Sequence, residues 1–126
     1  MLVDSCIPVI PSADPEKSLR FWVDGLGLSV DRAMRKDGRL VGCMVHNERL
    51  CFWLNQRSGD PIKPKNYEGI RLCWAPTDIG ALRERLSKLG FAVSEIVERD
   101  YGQTEFVVTD DDGYSHCFGV ATKKSR

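Results

Sequence analysis

The chain has 126 residues, with 18 Lys and Arg against 18 Asp and Glu, so its formal charge at pH 7 is zero; 42% of residues are apolar and 29% charged. That is the composition of an ordinary globular domain. The balance argues against a nucleic-acid binder and a polybasic membrane surface, and no apolar run approaches the roughly 20 residues of a spanning helix. The opening MLVDSCIPVI lacks a basic segment followed by a long apolar stretch, so a cytoplasmic location is expected. Cys6, Cys43, Cys51, Cys73 and Cys117 are odd in number and form no CxxC pair, which speaks against a disulfide framework and a zinc knuckle. Each lies in or beside an apolar run, and the expectation is buried free thiols in a reducing compartment.

In chain order, Cys6 to Ile10 predicts a short strand that ends at Pro11, either an edge strand or an irregular entry, because proline removes a backbone donor. Asp14-Pro15-Glu16 is a helix start: Asp14 can cap, Pro15 suits the first helical position, and Glu16 suits the positive helix end. Leu19, Phe21, Trp22, Val23 and Leu26 follow at helical spacing, and Gly25 and Gly27 stop the helix. Leu28 to Val30 leads into a strand, Asp37-Gly38 predicts a tight hairpin, and Leu40 to Val45 returns. His46 to Arg49 predicts a turn before the strand Leu50 to Leu54. Residues 57 to 68 are polar with Gly59, Pro61 and Pro64, and read as a linker.

The second half repeats this order. Ile70 to Trp74 predicts a strand, Thr77-Asp78 caps a helix stopped at Gly90, and strands are expected over Phe91 to Val97, Glu105 to Thr109 and His116 to Val120. Asp14 and Asp78 lie 64 residues apart, Gly27 and Gly90 63, and Cys51-Phe52 and Cys117-Phe118 66. The fold class is therefore α+β. Two βαβββ repeats, about 5–56 and 69–121, form one domain over 1–126, a curved mixed sheet around a cleft with helices outside.

DPEKSLRFWVDGLGLSV, from Asp14, resembles the first-helix signature of the vicinal oxygen chelate superfamily, which includes glyoxalase I, bleomycin-resistance proteins, fosfomycin-resistance enzymes and extradiol dioxygenases. YGQTEFVVTDDDGYSHCFGV, from Tyr101, resembles its closing hairpin. The resemblance covers about residues 5 to 121 and implies the glyoxalase/bleomycin-resistance fold. Enzymes of that family hold a divalent metal with His, Gln or Glu from the first and fourth strands of each half. Those positions fall here on Ile7, Cys51, Arg71 and Cys117. Isoleucine has no donor atom, arginine stays cationic, and two thiols beside a guanidinium make a poor zinc site. The expectation is no metal, no cofactor and no catalytic residue.

Strand alternation from those positions puts Ile7, Val9, Cys51, Trp53, Asn55, Arg71, Cys73, Ser115 and Cys117 toward the cleft. Ile10, Leu50, Phe52, Leu54, Leu72, Trp74, Phe118 and Val120 face the helices. His116, next to Cys117, is expected on the helix side as a hydrogen-bonded structural residue, and Asp110-Asp111-Asp112 as a solvated turn. Trp53 could stack on a flat ligand and Arg71 hold a carboxylate or phosphate, with Cys51, Cys117 and Tyr101 lining the pocket and Tyr67 at its rim. The resemblance implies a protein of the bleomycin-resistance type that sequesters or senses a small organic molecule, anionic or aromatic, as a homodimer. Two alternatives stand. One is a metal-dependent lyase or dioxygenase using His46, Glu48, Glu68 or Glu105. The other is a structural or partner-binding module with a filled cleft.

Overall fold

A computed structural model describes residues 2–57 and 71–123. The chain divides into two compact units, Met1–Pro61 and Ile62–Arg126. The expected linker lies outside the described residues except for Arg57, as do Tyr67, Glu68 and Ile70.

The first unit holds β1 (Val9–Ser12), α1 (Pro15–Leu19) running into a π-helical turn (Arg20–Gly25), β2 (Ser29–Lys36), β3 (Arg39–His46) and β4 (Cys51–Gln56). Its strands are ordered β1-β4-β3-β2, with β1 parallel to β4. β1 starts later than its sequence suggests and passes through Pro11. Proline is tolerated there because β1 is an edge strand, and the ladder begins with the Pro8 carbonyl accepting from Trp53 N at 2.9 Å. Ile7 therefore lies before the strand, 43% exposed, rather than on it.

Asp14 caps α1 by accepting from Lys17 N, and Pro15 opens it. The interval from Asp14 to Gly27 is one residue longer than that from Asp78 to Gly90. The π-helical turn absorbs the extra residue: Leu26 N donates to Phe21 O, five residues back, at 2.9 Å. Phe21 and Trp22 are both fully buried; Trp22 lies 5.2 Å from Phe52, and its Nε1 donates to Ser18 Oγ at 3.2 Å. Asp37 and Gly38 take φ of 53° and 78°, the left-handed pair that a two-residue hairpin requires. On β4, Phe52 and Leu54 are buried while Cys51 and Trp53 are half-buried, so the sheet packs its helix on one face only.

The second unit holds β5 (Leu72–Trp74), α2 (Ile79–Lys88), β6 (Val97–Glu98), β7 (Gln103–Thr109) and β8 (Ser115–Ala121), ordered β5-β8-β7-β6 with β5 parallel to β8. The strand order repeats that of the first unit position for position. Asp78 caps α2 through Ala81 N at 3.0 Å, and Gly90 takes φ of 92° beyond its end. The core joins Leu86 and Phe91 to Phe106, Val108, His116 and Phe118, with the Phe106 and Phe118 rings stacked at 5.2 Å.

The strand expected over Phe91 to Val97 shrinks to β6 and one bridge from Val93 to Val108. Ser94 interrupts it. Its N–H still donates to Val107 O at 2.9 Å, but its hydroxyl instead of a backbone carbonyl accepts from Val107 N at 2.8 Å and its carbonyl takes Arg83 Nε at 2.7 Å, so only half of the backbone pairing survives there.

Candidate functional site

The β7–β8 hairpin pairs Val107 with Cys117 and Glu105 with Gly119. Two-residue alternation then puts Glu105 and Cys117 on the face opposite Phe106, His116 and Phe118. Glu105 is a carboxylate only 6% exposed, on the face away from the apolar core. Three side chains donate to it. Cys117 Sγ reaches Oε2 at 3.0 Å, Arg99 Nε reaches Oε1 at 3.1 Å, and the Tyr101 hydroxyl also bonds Oε1. The turn over Arg99 to Gly102 delivers both Arg99 and Tyr101, closed by Gly102 N donating to Arg99 O at 3.1 Å.

These donors favour the anion. Hydrogen bonds from Cys117 and Tyr101, then Arg99, hold the Glu105 pKa below its ordinary value against the opposing effect of burial. The same contacts act oppositely on the partners. Burial, followed by the hydrogen bond to Glu105, pushes the Cys117 thiol up to about 11, although Arg71 bonds to it and pulls the other way. The hydrogen bond to Glu105 raises Tyr101 as well. At neutral pH the cluster is thus a carboxylate ringed by a thiol, a phenol and a guanidinium.

Gly119 lies opposite Glu105, and a Cβ there would fall 1.8 Å from Gln103 Nε2. The missing side chain is what lets Gln103 fold over the strand. Arg99 keeps 47% of its side chain exposed and Tyr101 is 70% exposed, so the rim of the cluster is open to solvent.

Of the five expected ligand contacts, Tyr101 and Cys117 meet at Glu105, and Arg71 bonds to Cys117. Trp53 and Cys51 belong to the first unit, on the open face of β4, where Trp53 pairs with Val9 and Met44. His46 is the last residue of β3, not part of the turn, and is the direct cross-strand partner of Cys51.

Glu105 was legible only as a possible metal ligand, and Arg99 not at all. The available signal was parity: the Asp112-Gly113 turn fixes the β7–β8 register and so places a carboxylate on the Cys117 face.

Two further expectations change. Asp110 is buried rather than solvated. Its Oδ1 accepts from Asp112 N and Tyr114 N at 2.9 and 3.0 Å, while Oδ2 meets His116 Nε2 at 2.7 Å. Trp74 Nε1 can only donate, so His116 Nδ1 accepts it at 3.0 Å and Nε2 carries the proton toward Asp110. Both nitrogens of His116 are thereby used on the core side. Second, the thiols are not uniformly buried: Cys43 and Cys117 are, Cys51 is half-buried, and Cys6 and Cys73 are exposed.

The four positions at which the resemblance places metal ligands do not fit a hard divalent ion. Ile7 has no donor, Arg71 is a cation, and Cys117 is a protonated thiol committed to Glu105. Among the described residues no three His, Cys, Asp or Glu side chains are grouped to hold a metal, and no helix is long and apolar enough to cross a membrane.

Solved structures share this fold at low identity. A glyoxalase family protein from Enterococcus faecalis is 16% identical with a TM-score of 0.76, over 95% of this chain and 100% of that one. TnmS3, an antibiotic binding protein from Streptomyces sp. CB03234, is 20% identical with a TM-score of 0.71, over 97% and 99%. The fosfomycin resistance protein FosX from Mesorhizobium loti is 17% identical with a TM-score of 0.72, over 97% and 95%. Comparison with curated protein sequences gave no match. The family model of the Glyoxalase/Bleomycin resistance protein/Dioxygenase superfamily matches residues 4–118, and with both units built on its βαβββ plan the chain belongs to that superfamily.

Proposed function

We propose that this is a small-molecule-binding protein of the glyoxalase/bleomycin-resistance type, which sequesters or senses an organic anion bearing a flat or aromatic part. The observation that carries the reading is the convergence of Arg99, Tyr101 and Cys117 on one buried carboxylate, with Arg71 bonded to Cys117, on the sheet face that the core does not use. Glu105 fixes the Arg99 guanidinium through Nε and leaves the rest of its fork to solvent, where it can meet a carboxylate or phosphate in bidentate fashion. The exposed Tyr101 ring offers an amphipathic contact beside it. On the open face of the first sheet, Trp53 is proposed as a stacking surface and Cys51 as its neighbour.

That TnmS3 is an antibiotic binding protein on the same fold supports binding as a role the architecture can serve. The homodimer and the reducing cytoplasm belong to the same proposal; free Cys6 and Cys73 on the surface suit such a compartment.

A thermal-shift panel of aromatic carboxylates against matched aromatic amines tests the reading. Carboxylates should raise the unfolding midpoint in proportion to occupancy, and Arg99→Ala should remove the effect. Stabilisation by the amines alone, or by neither class, would overturn it.

A further inference from the structure

Gly119 stands inside β8 without a positive φ, so its backbone does not call for glycine. Space does. A Cβ there would lie 1.8 Å from Gln103 Nε2, 2.7 Å from Gln103 Cδ and 3.0 Å from Gln103 Cγ. The Gln103 side chain therefore lies across β8, with its amide against the Gly119 backbone. Gly119 is the register partner of Glu105.

Two further placements put that amide beside the Glu105 cluster. Gln103 and Glu105, two residues apart on β7, share one face of the sheet. Gln103 also stands opposite Arg99 across the turn, where Arg99 N donates to Gln103 O at 2.7 Å. Residues that face each other in this way carry Cβ atoms about 4.5–5.5 Å apart, near enough for one aromatic ring to touch both. The Gln103 side chain is half-buried, and its amide has no hydrogen-bond partner among the described residues. A primary amide offers two donors and an acceptor. An apolar group laid over it strips its water and returns nothing, whereas a hydroxyl replaces the lost hydrogen bond.

We infer, resting on the anion site at Arg99, that Gln103 sets the specificity of that site. Its ligand is an aromatic carboxylate with a second, hydrogen-bonding substituent. The carboxylate takes the free edge of the Arg99 fork, and the substituent takes the Gln103 amide. Gly119 acts through Gln103, by leaving open the space in which the amide lies.

The test is calorimetric titration of the whole chain with meta- and para-hydroxybenzoate against the matching methylbenzoates, since hydroxyl and methyl are close in size. The better hydroxybenzoate should bind about tenfold tighter than its methyl counterpart. Gln103→Ala should erase that preference while the methyl compound still binds. Gly119→Ala, which displaces only the far end of the Gln103 side chain, should erase it too, with circular dichroism unchanged. Added to Gln103→Ala, it should change nothing further. Equal affinity for both series in the unaltered chain, or a preference that survives Gln103→Ala, would overturn the role of Gln103 and leave carboxylate binding at Arg99 standing. Binding of neither series would overturn the anion site and the role of Gln103 together.

Discussion

Glu105 organises the site, and its three donors make the chemistry around it testable one side chain at a time. The Cys117 thiol is buried and held in the protonated form, whereas Cys73 and Cys6 are exposed. A native-state titration with a thiol reagent at pH 7.5 should therefore show Cys6 and Cys73 reacting first and Cys43 and Cys117 last. Equal rates at Cys73 and Cys117 would contradict the arrangement. His116 gives a second check. Its ring nitrogens, themselves fully buried, bridge Trp74 and Asp110, so His116→Ala should cost about 1–3 kcal/mol in urea unfolding, because the buried Asp110 and the half-buried Trp74 indole lose their partner. The sequence placed His116 on the core side through its adjacency to Cys117. It did not reveal Asp110 as the partner, because a run of three aspartates reads as solvent-facing until the turn wraps one of them inward.

At the scale of elements, the helices show what local pattern can and cannot convey. Both aspartate caps and both glycine stops are readable, since each satisfies a backbone requirement with a distinct side chain. Asp78→Ala should accordingly cost about 1 kcal/mol by chemical denaturation. The π-helical turn is not readable from periodicity alone, because consecutive Phe21 and Trp22 suit an ordinary helix equally well. Only the one-residue excess over the second repeat signals it. Trp22 carries much of the packing against β4, and Trp22→Ala should destabilise the chain by about 3–5 kcal/mol. β6 was over-read for a different reason: near alternation over Phe91 to Val97 looks like a strand, but the Ser94 hydroxyl occupies the hydrogen bond that a ladder would need.

For the whole molecule, the Glu105 cluster sets a pH window. The Glu105 pKa is depressed in the folded state, so its contribution is complete above the unfolded value of about 4.3 and is lost as pH falls through the folded value. Cys117 is raised to about 11, so its contribution is complete below the unfolded value of about 8.5 and disappears as pH rises toward 11. Urea midpoints should thus fall on both sides of a plateau. Glu105→Gln should flatten the acid limb and Cys117→Ala the alkaline one; unchanged limbs in both variants would refute the assignment. The repeated strand order was legible because equivalent caps, glycines and strand ends recur at near-constant offsets. The candidate site was legible only in part: the resemblance pointed to Arg71 and Cys117 as positions, while the contacts of Cys117 and Arg99 with Glu105 follow from registers and a turn that no local pattern specifies.

The most direct measurement is a two-dimensional amide-correlation NMR titration with an aromatic carboxylate that stabilises the protein. Shifts should concentrate at Arg71, Arg99, Tyr101, Glu105 and Cys117, and should vanish in Arg99→Ala. Shifts centred on the buried face, at Leu86, Phe106 and Phe118, or equal shifts in the variant, would contradict the account.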